Sequence, residues 1–308
     1  MAPPTLREIV QAARARLTAA GIDANEAAMD AALLARHALG WDLARLLAHE
    51  TEAPPDAFTR AFDPLVARRA SREPISSIVG LREFWGLEFE VGPDVLAPRP
   101  ETEIVVEQAL SAGRGFSPAS AVGRGFSPAS PRLIIDVGTG SGCLAVCLAR
   151  EFPAARVIAT DISERALAVA ARNARRHGVE SRVEFRRASL LDGVAGPADL
   201  VVSNPPYIPA PDIEGLDPEV RDWEPRQALD GGADGLDVVR ALLDAVPGVL
   251  APGGSFIMEF GFGQAEAVED LVRASPLELV RIVADLQQIP RTVVARAGIS
   301  RPPTADRR

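Results

Sequence analysis

The chain has 308 residues, 47% of them hydrophobic, a formal net charge of -9 and no lysine among its 33 basic residues. That length suits two domains with sizeable cores, and the acidic balance disfavours broad binding to phosphate backbones, which turns attention to protein or small-molecule partners. No apolar run reaches about eighteen residues, and the first stretch, MAPPTLREIV, lacks a basic start and an apolar signal core, so no membrane span or secretion signal is expected and the compartment reads as cytoplasmic.

From Leu6 to Ser71, apolar residues recur at helical spacing: Leu6, Ile9, Val10, Ala13 and Leu17, then Ala27, Ala31, Leu34 and Ala38, then Phe58, Phe62, Leu65 and Val66. Gly21, Gly40 and Pro54-Pro55 punctuate them, which predicts a small all-helical domain over residues 1–78. GLREFWGLEFEVGPDVLAPRPETE then alternates aromatic and β-branched residues with charged ones around Gly86 and Gly92, as a hairpin or linker over 79–98 does. The octet GRGFSPAS occurs twice, at 113–120 and 123–130. A Gly/Ser/Pro-rich tandem copy cannot build a packed core, so 111–130 is expected to be a flexible insertion.

After Arg132, apolar strands alternate with helical patterns. RLIIDVG, ARVIATD, RVEFRR, ADLVVSNPPY, GGSFIMEFG, LELVRIVADL and RTVVARAG read as strands, with SGCLAVCLAREF, SERALAVAARNARRHG, ADGLDVVRALLDAVPGVL and QAEAVEDLVRAS as helices. The fold class is therefore α/β, a doubly wound, mostly parallel, seven-stranded sheet over 99–300 preceded by the helical domain. Cys143 and Cys147 lie four apart in an apolar helical pattern and are read as core packing. The scattered His37, His49 and His177 argue against a histidine metal site, and no metal is expected.

Two motifs carry chemistry. DVGTGSG, Asp136 to Gly142, joins the first strand of this domain to its first helix, where glycines let a ligand press against the backbone at a helix N-terminus. Its G-x-G-x-G spacing is not the dinucleotide G-x-G-x-x-G, which shifts the reading away from a nicotinamide cofactor. Asp161 ends the second strand, placed to accept both hydroxyls of a ribose; the plainer role is an N-cap for the next helix, which Ser163 could also supply. The second motif is Asn204-Pro205-Pro206-Tyr207, after the fourth strand. Two prolines cannot extend a ladder, so the segment is a stiff turn. The Asn204 side-chain oxygen and the Pro205 carbonyl can accept both N–H bonds of a planar NH2 group while Tyr207 covers its flat face. Two fixed acceptors aimed at an electrophilic carbon raise the reactivity of a poor nitrogen nucleophile by position and electrostatics.

DVGTGSG, the acidic second-strand end and NPPY together resemble the class I S-adenosylmethionine-dependent amino-methyltransferases. REPISSIVGLREFWGLEFEVGPDVLAPRPETE, NPPYI, EVRDWEPRQALDGGADGLDVVRAL and DLQQIPRTVVAR narrow the resemblance to the release-factor glutamine methyltransferase family, over roughly residues 60–297. The resemblance implies S-adenosyl-L-methionine as cofactor and N5-methylation of the glutamine in the Gly-Gly-Gln motif of peptide chain release factors, with the helical domain helping to engage them. It further implies a catalytic set of Asn204, Pro205 and Tyr207. The cofactor set becomes Asp136, Gly138, Thr139, Gly140, Ser141, Gly142, Asp161, Ser189, Leu190 and Asn204, in which Gly138 to Gly142 wrap the methionine and ribose end. Substrate contacts fall to Asn204, Pro205, Pro206, Tyr207, Arg99 and Glu101. Arg99, Pro100 and Glu101 would border the cofactor cleft, or else form a charged linker paired within itself, and Glu259 reads as a satisfied sheet-end carboxylate. One departure stands out: RRASLLDGV has Ser189 where an adenine-contacting acid is expected, so Ser189 or the Leu190 backbone takes that place. A monomer without stable nucleic-acid binding is expected. Two rival readings stay open at this stage, N-methylation of an exocyclic amine of adenine or guanine in nucleic acid, and a nucleoside-binding module without turnover.

Overall fold

The first helices form where apolar spacing and caps agree. Thr5 accepts the Glu8 N–H while the Glu8 carboxylate accepts that of Thr5, a reciprocal pair that starts α1 (Leu6–Ala19). Asp23 caps α2 (Ala24–Leu39), which ends at Gly40 in the left-handed conformation. The short α3 (Leu43–Ala48), then α4 (Phe58–Ala70) and α5 (Ile75–Val79), complete the helical region. Leu17, Ala27, Leu34, Phe58 and Phe62 close its core. Of these, α1, α2 and α4 follow the apolar spacing read in the sequence, while the short α3 and α5 lie outside it. The coordinates are a computed structural model, which describes residues 3–114 and 131–298.

The chain falls into two compact units, one made of the chain up to Leu81 together with Leu216–Trp223, the other of the described remainder. From that boundary, β1 (Leu81–Phe84) and β2 (Leu87–Glu90) pair as a hairpin, and in the second unit a 3₁₀ turn over Pro100–Thr102 leads into α6 (Glu103–Arg114). Ser111–Arg114, expected to open the flexible insertion, instead continue this helix. Once Val105, Val106 and Ala109 are buried, each added residue gains a hydrogen bond at small entropic cost. Residues 115–130, with most of the tandem repeat, lie outside the described residues.

The sheet follows in β3 (Leu133–Val137), α7 (Cys143–Glu151), β4 (Arg156–Asp161), α8 (Glu164–Arg176), β5 (Val183–Arg187) and β6 (Ala198–Ser203). Then come α9 (Pro218–Arg221), α10 (Asp237–Ala245), β7 (Leu250–Glu259), α11 (Ala265–Ala274), β8 (Leu277–Ala284) and β9 (Pro290–Ala297). Strand order is β5-β4-β3-β6-β7-β9-β8, parallel except that β9 runs antiparallel to both its neighbours. Strand side chains alternate between two cores, Ile134 packing with Val157 and Cys147 on one face and Ile135 with Ile158 and Phe256 on the other. Cys143 and Cys147 are buried free thiols whose ionisation burial pushes upward, Cys143 to about 12, which leaves them inert packing groups as expected. Strand order reverses between β3 and β6, and a doubly wound sheet opens a ligand crevice at such a point, beyond the carboxyl ends of its strands.

Within the helical unit, Arg69 is 1% exposed and donates to Asp30 at 2.6 Å and to Glu26 and Glu219 at 2.8 Å. Arg72 donates to the second Glu219 oxygen at 2.6 Å. A buried guanidinium stripped of a partner carboxylate costs about 3–5 kcal/mol, so the Glu219 contact is what keeps α9 with the helices.

Candidate functional site

At the seam between β3 and β6, the Ser203 hydroxyl donates to the Val137 carbonyl at 2.8 Å, and the two chains diverge from there into the glycine-rich loop and the NPPY turn. The loop is tied down at several points. Gly138 and Thr139 both donate their N–H to the Thr160 carbonyl at 2.9 Å. The Thr139 hydroxyl at 2.6 Å and the Ala145 N–H at 3.0 Å both reach the same oxygen of Asp136, which is fully buried. The other oxygen, Oδ1, has no partner among the described residues. Burial pushes this carboxyl up to about 7.

The plainer role read for Asp161, the N-cap of α8, falls to Ser163 instead. Asp161 accepts the Gly140 N–H at 2.9 Å and the Ser163 N–H at 2.8 Å, while Ser163 itself caps α8 through the Ala166 N–H. Each carboxylate oxygen can accept a further bond, and Asp161 stands half-exposed in the cleft wall.

On the opposite side, the NPPY turn is strapped into place. Gln264 donates to the Tyr207 carbonyl at 2.9 Å, while the Ile208 N–H and carbonyl bond to Leu229 and Gly231. Gly231 and Gly235 make this approach possible, since a Cβ at Gly235 would lie 2.3 Å from the Tyr207 oxygen and one at Gly231 2.8 Å from the Tyr207 Cα. The Asn204 amide nitrogen donates to the Thr102 hydroxyl at 2.9 Å, and that hydroxyl donates to Glu259 at 2.6 Å. The second Glu259 oxygen accepts from the Tyr207 hydroxyl at 3.1 Å. With its NH2 engaged, Asn204 keeps Oδ1 as a free acceptor, with no hydrogen bond to it among the described residues. Burial raises both Glu259, to about 7, and Tyr207.

These pieces enclose a cavity of about 510 Å3. Gly138, Thr139, Gly140 and Ser141 line one side, with Asp161, Ser189 and Leu190 beside them. Leu190 adopts φ 50°, its carbonyl held by the Thr160 hydroxyl at 2.8 Å. Asn204, Pro205, Pro206 and Arg99 line the other side. Five residues expected at the site are not part of this lining. Gly142 is pressed against α8, where a Cβ would come within 2.9 Å of that of Ala170, so it is a packing glycine rather than part of the wall. Asp136 sits beneath the loop instead of facing the cavity, because its bonds to Thr139 and Ala145 draw it inward. Tyr207, expected to cover a flat amide, is not among the lining residues, and its hydroxyl donates to Glu259 at 3.1 Å. Glu101 and Pro100 also stay out of the wall, and Arg99 pairs at 2.6 Å with Glu224, not within its own linker.

Sequence reasoning did not include Thr102, Glu259 or Gln264 among the site residues. Thr102 lay in plain view in PRPETE, but its partner is 157 residues away.

The arrangement can hold a nucleoside bearing a positive charge. Asp161 offers acceptors to a diol, and Val137, Ile162 and Leu190 give apolar surface for a flat base. Facing it, Asn204 Oδ1 and the carbonyl of the rigid Pro205 suit an NH2 group.

Comparison with known proteins gives consistent results. The family model described as PrmC N-terminal domain matches residues 8–80, and the Methyltransferase small domain model matches 124–213. The release factor glutamine methyltransferase of Cereibacter sphaeroides is 46% identical over 94% of this chain and 97% of its own length. That of Rhodospirillum rubrum is 43% identical over 93% and 83%. Among solved structures, the hMettl16 catalytic domain in complex with MAT2A 3'UTR hairpin 6 aligns with a TM-score of 0.53 at 13% identity, over 78% of this chain and 84% of that one, a likeness of fold alone.

Proposed function

This chain belongs to the release factor glutamine methyltransferase family, and on that premise we propose that it transfers a methyl group from S-adenosylmethionine to N5 of the glutamine in the Gly-Gly-Gln motif of peptide chain release factors. The observation that carries this reading is the cavity-lining Asn204, its amide nitrogen taken by Thr102 and its Oδ1 left as an acceptor, in one cavity with the Gly138–Ser141 loop and Asp161. The residues that would hold the cofactor are that loop, Asp161, and Ser189 with Leu190 at the base, above the buried Asp136. When bound, S-adenosylmethionine supplies an electrophilic methyl on a sulfonium.

The chain's own contribution is orientation. Asn204 Oδ1 and the Pro205 carbonyl grip the two hydrogens of the glutamine amide and so fix the direction of the nitrogen's remaining face. Their attraction grows as positive charge develops on that nitrogen, which is selective stabilisation of the transition state. Glu259 does not take the proton, since it is 1% exposed and both its oxygens are already occupied by Thr102 and Tyr207. Of the two amide N–H protons, each gripped by one of the acceptors on Asn204 and Pro205, one is lost to solvent as the methyl is gained.

The same reading makes the protein a cytoplasmic monomer whose helical unit helps engage the release factor, with no stable nucleic-acid complex, in keeping with a net charge of -9. Among the described residues no helix is long and apolar enough to cross a membrane. The test is incubation of the purified protein with release factor and labelled cofactor, followed by mass spectrometry of the proteolysed product. One methyl on the glutamine side chain is expected; methyl on another residue, or on added RNA in its place, refutes the assignment.

A further inference from the structure

An asparagine amide has two ends of nearly equal size and opposite hydrogen-bonding character, and only Oδ1 can accept an incoming N–H. Something must keep it the right way round. The rigid prolines fix the backbone but leave the terminal torsion free, since such torsions are broad and roughly two-fold. The missing constraint lies behind the turn.

We propose that Thr102 and Glu259 are positioning residues for methyl transfer, a short directional relay that holds the Asn204 amide with Oδ1 toward the incoming glutamine N–H. This rests on the function proposed above. With the Thr102 and Tyr207 hydroxyls donating to its two oxygens, Glu259 in its ionised form can only accept, and it accepts the Thr102 O–H at 2.6 Å. The Thr102 oxygen then has only lone pairs left to offer, and it binds the end of Asn204 that carries hydrogens, at 2.9 Å. The orientation of the amide is thus set by a group two bonds away. The other oxygen of the same carboxylate holds the Tyr207 hydroxyl at 3.1 Å, so one buried residue at the end of β7 anchors both ends of the NPPY turn. Glu101, Arg291 and the Cys143 thiol are the other ionisable groups whose fields couple to Glu259. Thr102 is 2% exposed, so bulk water is poorly placed to replace its hydroxyl.

Two substitutions at one site separate this role from packing. Thr102→Val keeps the shape and removes the hydroxyl, while Thr102→Ser keeps the hydroxyl and removes a methyl. The relay predicts that T102V lowers kcat for release-factor methylation about 10- to 100-fold, the range of one lost well-placed polar contact, with cofactor affinity unchanged, and that T102S stays within a few-fold of wild type. A packing role predicts the reverse order. In an Asn204→Ala background T102V should add little, because Thr102 acts through that amide. A readout independent of turnover is the Asn204 side-chain NH2 resonance, identified by its loss in N204A: its slow hydrogen exchange should survive in T102S and disappear in T102V.

Equal kcat for T102V and wild type, additive effects in the double variant, or fast amide exchange in wild type would each overturn the relay while leaving the assigned reaction standing. A wild-type protein that transfers no methyl to release factor would overturn the assigned reaction, and with it the relay's role in transfer.

Discussion

Replacing Asn204 by Ala removes the acceptor that faces the substrate and little else. Its Oδ1 makes no hydrogen bond among the described residues, so the fold loses only the amide bond to Thr102, whose hydroxyl still donates to Glu259. In the Michaelis complex the lost contact is a neutral hydrogen bond worth about 1 kcal/mol. As the nitrogen becomes cationic the bond is charge-assisted and roughly twice as strong, and the amide also loses half of the pair that aims it. Together these come to about 2–4 kcal/mol, a fall in kcat of roughly 30- to 1,000-fold. The assay is single-turnover transfer of labelled methyl to purified release factor, with cofactor affinity measured separately by calorimetry. A Kd for the cofactor within a few-fold of wild type is expected, because Asp161 and the glycine loop are untouched. Loss of cofactor affinity in proportion to turnover, or a drop in kcat below about five-fold, would refute the reasoning.

Asp161→Ala should do the opposite, weakening cofactor binding about 10- to 100-fold in calorimetry through loss of charged acceptors and of the Gly140 tether, while turnover at saturation changes less. Gly142→Ala places a Cβ 2.9 Å from that of Ala170 at φ 82°, which combines overpacking with left-handed strain; a fall in Tm of about 5–10 °C by calorimetry is expected. Asp136 titrates near 7 in the folded protein against 3.8 as its ordinary value, so between those pH values the folded state holds a proton that the unfolded chain has released. Stability from this group is complete at low pH and is lost as pH rises through about 7, by on the order of 3 kcal/mol. Asp136→Asn should therefore gain in Tm relative to wild type between pH 5 and pH 8, and a constant difference across that range would contradict the burial argument.

How much could be read from the sequence follows the range of the interactions. DVGTGSG and NPPYI were legible because each is a local backbone solution, a glycine loop and a proline turn, and alternation of strands and helices sufficed for the α/β sheet. Long-range pairings were not. Nothing in PRPETE says that Thr102 meets a carboxylate at the end of β7, and nothing in EVRDWEP says that Glu219 reaches a buried arginine among the helices. Gly142 shows a different limit, since a glycine required by a ligand and one required by a neighbouring helix look alike in a string; only the approach of Ala170 tells them apart. Ser111–Arg114 read as part of a low-complexity insertion, yet the buried face of α6 carries the helix through them. The bond from the Tyr207 hydroxyl to Glu259 was likewise beyond the reach of the string.

The most direct test of the account is a crystal structure of the protein with S-adenosylhomocysteine and a peptide containing Gly-Gly-Gln. The account predicts the glutamine nitrogen within about 3 Å of both Asn204 Oδ1 and the Pro205 carbonyl, on the side of the cavity facing the glycine loop. A glutamine side chain bound away from these two oxygens, or the nucleoside seated outside the Gly138–Ser141 and Asp161 wall, would contradict it.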